Sequence, residues 1–434
     1  EEKYPFYNSE LKKGIFWNYL QQKKTHFMIE EEKTYPCTDI QKDNPLRIIY
    51  FNNKLSIEIA HFLTDGKGAM LFFQDLIEEY TEKKYFSKNI RNENFENKRI
   101  IVENNGKSED KNKFKIKNKD LVNDKNLKKM IDFPKMIGSK IKNFENKSFL
   151  ENKKKILKKN EEIFGNYDEE NNVKENKYVD LYEKYMRKVS KETTIKSAFH
   201  LPMKILEKGQ YHITTGEIYI DDLKMESKKH KTTIGKYLLA VYFKILLDRY
   251  SSAKNPIVIG VPVDLRRIFE EKTYRNFFIN ITPSIDASLG AYSLSEIITY
   301  LDNYFALKIT KKEFYKSIYK AMNPMRNIII KSVPYLIKRI FFPFIFDYYG
   351  ERGYTTGFSN LGIFKIDKKY EKYLKGFRFL PPPSKRCKIK MGVISDSKKV
   401  YINFGNLTAD YDIERDFFVY LRKRGIRSKI ITNY

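Results

Sequence analysis

The chain has 434 residues, with 83 Lys and Arg against 55 Asp and Glu and a formal net charge of +28. That length is ample for two hydrophobic cores, while the two cysteines, Cys37 and Cys387, exclude a disulfide framework, and no Cys/His cluster has the spacing of metal ligands. A reduced, cytoplasmic setting with no metal and no permanently bound cofactor is the expectation, and no secretory pattern is visible in the residues given.

Residues 46–51 and 55–61 are β-rich runs separated by Asn52, Asn53 and Lys54, the pattern of a hairpin and its turn. Residues 67–80 carry apolar side chains at Met70, Phe72, Phe73, Leu76 and Ile77, a helical spacing. Between them lies His61-Phe62-Leu63-Thr64-Asp65-Gly66, which sets a histidine where a strand gives way to a helix. Such junctions deliver side chains into clefts from a rigid scaffold, and Gly66 is expected to supply the backbone freedom of an abrupt turn. An imidazole there suits a general base, because its unperturbed pKa lies near neutrality. A structural histidine beside a capping aspartate is the alternative.

Between about residues 84 and 180 the periodicity dissolves. Residues 91–180 hold 21 Lys and 17 Asn, too polar a stretch to bury a core of its own. It reads as an insertion of loops and charged helix, with 154–164 as one such helix; a mobile lid or partner-binding arm is the functional alternative. Its 21 Lys and 2 Arg face 17 acidic residues, so most of the positive excess lies elsewhere in the chain. That excess is scattered, with neither a nucleic-acid-binding motif nor a dense basic tail. Nucleic acid is therefore not the expected partner, and the charge favours solubility and the steering of a phosphate-bearing substrate.

An apolar run at 258–263 leads into Asp264, Leu265 and Arg266, followed by Asn276-Phe277-Phe278-Ile279-Asn280-Ile281-Thr282. Residues 328–349 are the most apolar stretch, but Lys331, Lys338 and Arg339 interrupt it and Pro334 and Pro343 disturb it, so it is not a transmembrane segment. Val333, Ile337, Ile340 and Phe341 are expected to form a buried helical face, with contact to a membrane surface or hydrophobic acceptor as the alternative. A further cluster is Thr355-Thr356-Gly357-Phe358-Ser359-Asn360-Leu361-Gly362. His26, His200, His212 and His230 fall in no motif and read as structural or surface residues.

In this order and at these separations, the clusters resemble the CoA-dependent acyltransferase superfamily. That group includes chloramphenicol acetyltransferase, the condensation domains of peptide synthetases and the bacterial alcohol acetyltransferases, the branch this chain resembles most. The family hallmark is His-His-x-x-x-Asp-Gly with the second histidine catalytic; His61, Asp65 and Gly66 match it, and Ala60 stands at the first position. Residues 262–266 and 276–280 resemble the corresponding stretch of condensation domains. Ser359-Asn360-Leu361-Gly362 resembles the Ser-Asn-Leu-Gly of alcohol acetyltransferases, and residues 14–19 and 232–240 have counterparts in that branch. Tyr4-Pro5-Phe6 is similar to a segment lying a few tens of residues into the first domain of family members, which implies a leading strand and helix ahead of it.

The resemblance implies an α/β (α+β) fold of two chloramphenicol-acetyltransferase-like halves, each a mixed β-sheet with helices, around a central tunnel. The halves are expected at about 1–200, with the insertion inside it, and 201–434. It implies acyl transfer from acyl-CoA, the co-substrate, to an alcohol or amine acceptor, with His61 as general base and no covalent enzyme intermediate. Asp65 would pair with Arg266 and lock the loop bearing His61 and Gly66, and Asn280 would brace the tunnel wall. Thr356, Ser359 and Asn360 are candidate oxyanion or tunnel residues, or else members of a Gly-bounded turn that satisfies its own backbone. A condensation-type enzyme fed by a carrier protein and a non-catalytic binding relative are the alternative functions.

Overall fold

The computed structural model describes residues 3–24, 26–34, 36, 44–86, 179–186, 197–346 and 350–433. All of these belong to one compact unit. Cys37, the 154–164 helix and nearly all of the expected insertion lie outside the described residues.

Strands β1 (Ser9–Lys12) and β2 (Tyr19–Gln22) pair as an antiparallel hairpin. Strand β3 (Ile29–Glu31) runs parallel to β4 (Leu46–Phe51), which turns back into antiparallel β5 (Lys54–Ile59). The turn is shorter than the sequence suggests: Lys54 pairs with Phe51, so only Asn52 and Asn53 lie outside the ladder. Asn52 adopts a φ of 50°, a left-handed conformation that asparagine tolerates. Arg47 is buried within this small sheet and bonds Glu58 at 3.0 Å and Glu30 at 3.2 Å, so one guanidinium ties three strands together.

Helix α1 (Gly66–Thr81) follows, with Asp65 as its N-cap. It is a wedge between two cores. Phe72 packs with Tyr4, Tyr7, Leu46, Leu63 and Tyr274, while Met70 and Ile77 pack with Phe364, Ile394 and Tyr401. Burial on two faces is why its apolar positions outnumber a single stripe.

After α2 (Leu181–Tyr185), the chain builds a larger sheet from β6 (His212–Tyr219), β7 (Ile257–Asp264), β8 (Phe278–Ile281), β9 (Ser284–Ile285), β10 (Thr356–Ile363), β11 (Ile389–Ser395), β12 (Lys399–Asn406) and β13 (Ser428–Thr432). The order is β13-β6-β12-β11-β10-β7-β8, with β9 also on β7. Neighbours β7, β10 and β11 are parallel and the remaining pairs antiparallel. The class is mixed α/β, as expected, and the sheet is not closed into a barrel.

Helix α3 (Ile220–Lys229) leads to α4 (Ile234–Arg249), in which every residue from 237 to 243 is buried. A helix apolar all round must be enclosed; α6 (Leu294–Lys308) and α11 (Asp412–Arg422) pack against it. The short α5 (Arg266–Phe269) sits between β7 and β8, and α7 (Lys311–Arg326), α8 (Ile328–Ser332) and α9 (Tyr335–Phe346) follow α6. On α9 the expectation of a buried apolar face is overturned: Ile337, Ile340 and Phe341 are exposed, and Val333, just ahead of the helix, is half-buried. Among the described residues, no helix is long and apolar enough to cross a membrane.

Candidate active site

The sheet register explains why segments far apart in sequence meet. Strands β7 and β10 are parallel, so Asp264 and the residues after Asn360 emerge at the same edge. Antiparallel β8 starts there too, because Phe278 pairs with Asp264. The loop between β5 and α1, residues 60–65, is fastened at this edge.

Asp65 is the fastening point. Its carboxylate is buried and accepts from the Gly68 N–H at 2.9 Å, from the Phe277 N–H at 2.8 Å, and from Arg266 Nη2 at 3.0 and 2.8 Å. Asp65 and Arg266, 201 residues apart, are thus brought together. Arg266 is buried as well, and donates to Asp264 at 2.8 Å and to the carbonyls of Thr273 and Arg275 at 2.8 and 2.6 Å. Burial opposes its charge, but the two aspartates outweigh that and raise its pKa. A second anchor lies alongside: the Tyr7 hydroxyl donates to Thr64 Oγ1 at 3.1 Å, and Thr64 donates to the Tyr274 carbonyl.

His61 rides on this anchored loop, two residues beyond the end of β5, with its side chain exposed. Asn276 Nδ2 donates to the His61 carbonyl at 2.7 Å, and the Phe278 ring lies 5.3 Å from the imidazole, centroid to centroid. The backbone is held while the ring stays open to solvent. Leu63 N–H closes the turn onto the Ala60 carbonyl at 2.9 Å.

Gly66 does not play the part expected of it. It is not among the residues with positive φ; its small size matters instead, since a Cβ there would lie 3.0 Å from Leu361 Cδ2 and 3.5 Å from Phe379 Cζ. The glycine that the site requires is Gly68, where a Cβ would come within 2.1 Å of Thr64 Oγ1 and 2.6 Å of the Tyr274 carbonyl oxygen. No periodicity or motif marks Gly68, because its constraint comes from a carbonyl 206 residues away in sequence.

On β10, alternation separates the candidates. Thr356 and Phe358 face the main core. Of the candidate oxyanion or tunnel residues, Thr356 is the buried one: its hydroxyl bonds the Tyr242 hydroxyl at 2.8 Å and donates to the Ile389 carbonyl. Ser359 lies on the opposite face, half-buried and paired with Gly392, against which Phe379 packs. Asn360 is exposed, and its Oδ1 accepts from the Gly362 N–H at 2.9 Å. Gly362 has a φ of +75° and the ladder shifts register here, so the segment is a bulge that turns Leu361 toward Gly66. Asn280 is exposed on β8, on the face it shares with Phe278, and hydrogen-bonds the Tyr354 hydroxyl, whose pKa burial raises.

Lys67 went unremarked in the sequence. It follows Gly66 in the first turn of α1 and is half-buried; burial pushes its pKa down, Asp264 opposes this, and Arg266, Lys365 and Arg267 add to it. The loop edge is thus rich in cations and includes the positive end of α1. Among the described residues, no group of three His, Cys, Asp or Glu side chains gathers as metal ligands would.

No family model and no curated protein matches this chain. Solved structures do. It is similar to the epimerization domain from the third module of tyrocidine synthetase B, at 11% identity over 97% of this chain and 84% of that one, with a TM-score of 0.45. A condensation domain of chain release from the enacyloxin polyketide synthase matches at 8% identity over 97% of this chain and 72% of the other, TM-score 0.43. The wax ester synthase/diacylglycerol acyltransferase from Marinobacter aquaeolei VT8 matches at 11% identity over 96% and 84%, TM-score 0.40. At identities of this order, function is argued from the site and not from the fold.

Proposed function

We propose that this chain is an acyltransferase that moves an acyl group from a thioester donor, acyl-CoA, to an alcohol or amine. The observation that carries this is an exposed imidazole whose backbone is pinned from segments more than 200 residues away: His61 stands free in solvent while Asn276, Arg266 and Phe277 hold its loop.

In the reaction, His61 removes the proton from the acceptor as its oxygen or nitrogen attacks the thioester carbonyl. The tetrahedral intermediate collapses, the carbon–sulfur bond breaks, and the imidazolium returns the proton to the departing thiolate. No bond to the enzyme forms. Ser359 and Asn360 remain candidates for meeting the oxyanion, and Lys67, Arg267 and Lys365 supply cations suited to a phosphate-bearing donor.

The experiment follows thiol release from a panel of acyl-CoAs with alcohol and amine acceptors, in the wild type and in His61→Ala. Positioned base catalysis is worth roughly 10²–10⁴ in rate, so turnover is expected to fall by that factor in a variant with unchanged melting temperature. Equal turnover in the two would sink the assignment of His61. Turnover with carrier-bound acyl groups alone would move the donor from acyl-CoA to a carrier protein.

A further inference from the structure

On α9 the usual polarity is inverted. Leu336 is 76% exposed and Ile340 63%, and Ile337 and Phe341 are exposed beside them; at spacings of one, four and five residues these share one side of the helix. Lys338, by contrast, is 3% exposed. Its Nζ donates to the carbonyls of Phe16 at 3.0 Å and Lys331 at 3.2 Å, and it lies 3.5 Å from the centroid of the Trp17 ring. The Tyr335 N–H also donates to the Ile15 carbonyl at 2.8 Å.

These contacts fasten α9 to the loop between β1 and β2. That loop holds its own apolar side chains in solvent: Ile15 is 70% exposed, with Phe16 and Trp17 also exposed. Two segments some 322 residues apart therefore bring exposed apolar side chains to one place. An apolar patch assembled from two elements and anchored by a buried lysine marks an interaction surface.

The charge around it is mainly positive. Lys12 pairs with Glu10 and Arg326 with Glu183, while Lys13, Lys331 and Arg339 are exposed cations in stretches, 11–20 and 326–346, that contain no Asp or Glu. A second copy of the chain would present the same cations to themselves across a two-fold axis, which repulsion opposes. An anionic bilayer is the complement: its headgroups meet the cations, the aromatic rings sit at headgroup depth, and the aliphatic side chains enter the acyl boundary.

We infer that the exposed face of α9 and the β1–β2 loop dock this protein peripherally on an anionic lipid surface. The docking is independent of the acyl-transfer chemistry, and α9 lies in the plane of the interface.

Trp17 is the single tryptophan of the chain, so its emission reports this patch alone. The full chain is mixed with phosphatidylcholine vesicles made with and without phosphatidylserine, and both co-sedimentation and Trp17 emission are read at low and high salt. The variants are Leu336→Ser with Ile340→Ser, and Lys331→Glu with Arg339→Glu, all exposed positions whose folding is checked by thermal melting. The expected result is phosphatidylserine-dependent sedimentation weakened by salt, a blue shift of Trp17, and loss of binding by about tenfold or more in each double variant. A wild type left in the supernatant, an unshifted Trp17, or variants that bind as well as the wild type would each overturn the proposal. So would a dimer that the Leu336→Ser, Ile340→Ser variant dissolves, since that would make the occupant a second copy. No acyl donor is present, so the outcome is separate from that of the His61 test.

Discussion

Replacing Asp65 tests the fastening of the candidate loop most directly. Both carboxylate oxygens are committed: one accepts from Gly68 N–H and Arg266, the other from Phe277 N–H and Arg266. In Asp65→Ala the buried Arg266 guanidinium keeps Asp264 and two carbonyls but loses its buried counterion. Removing one partner of a buried pair costs about 3–5 kcal/mol. The residual pairing with Asp264 puts the expected loss at about 3 kcal/mol, which corresponds, in a unit of this size, to a fall in melting temperature of about 4 °C. Asp65→Asn does not rescue it, because an amide nitrogen at either position faces two donors. Urea unfolding of the wild type, both single variants and Asp65→Ala combined with Arg266→Ala measures this. The double variant is expected to lose less than the sum of the singles by ~1 kcal/mol or more. An Asp65→Asn protein melting with the wild type, or strictly additive single losses, would refute the account of a charged, doubly committed carboxylate.

The glycines of α1 make an ordered prediction. Gly68→Ala forces a Cβ against the Tyr274 backbone and is expected to cost about 1–3 kcal/mol, whereas Gly66→Ala meets only the movable end of Leu361 and stays within ~1 kcal/mol of the wild type; urea midpoints in the opposite order would reject the placement of the loop. Glu414, buried in α11 with Asn406 Nδ2 bonded at 2.7 Å, has its pKa pushed up to about 7 by burial. The folded state then binds a proton more tightly than the unfolded one, so this group's stabilisation is full below the unfolded value near 4.5 and is lost as pH rises through 7. The wild type is expected to lose stability relative to Glu414→Gln between pH 5 and pH 8, on the order of 3 kcal/mol; parallel stability–pH curves for the two would disprove it.

The sequence by itself determined the local elements. β-rich composition and an Asn-rich turn marked the β4–β5 hairpin and helical spacing marked α1, because each depends on contacts within a few residues. That His61, Asp65, Arg266 and the 276–280 segment belong together was implied by the resemblance to the acyltransferase superfamily, not by any local pattern.

Tertiary structure decided the rest. The meeting of Asp65 with Arg266 and Phe277 follows from the register of β7 with β8 and β10, and register is a property of pairs of strands. Thr356 looked equivalent to Ser359 until strand alternation sent one hydroxyl into the core and the other to the opposite face. Gly66 attracted notice through its motif, while Gly68 carries the tighter constraint because a distant carbonyl approaches it. On α9 the spacing of Ile337, Ile340 and Phe341 does put them on one side of the helix, with Val333 left outside it, yet that side is in solvent and a lysine is buried in its place. Periodicity specifies that a face is apolar; what that face meets is set by which other elements arrive beside it, and those are encoded hundreds of residues away.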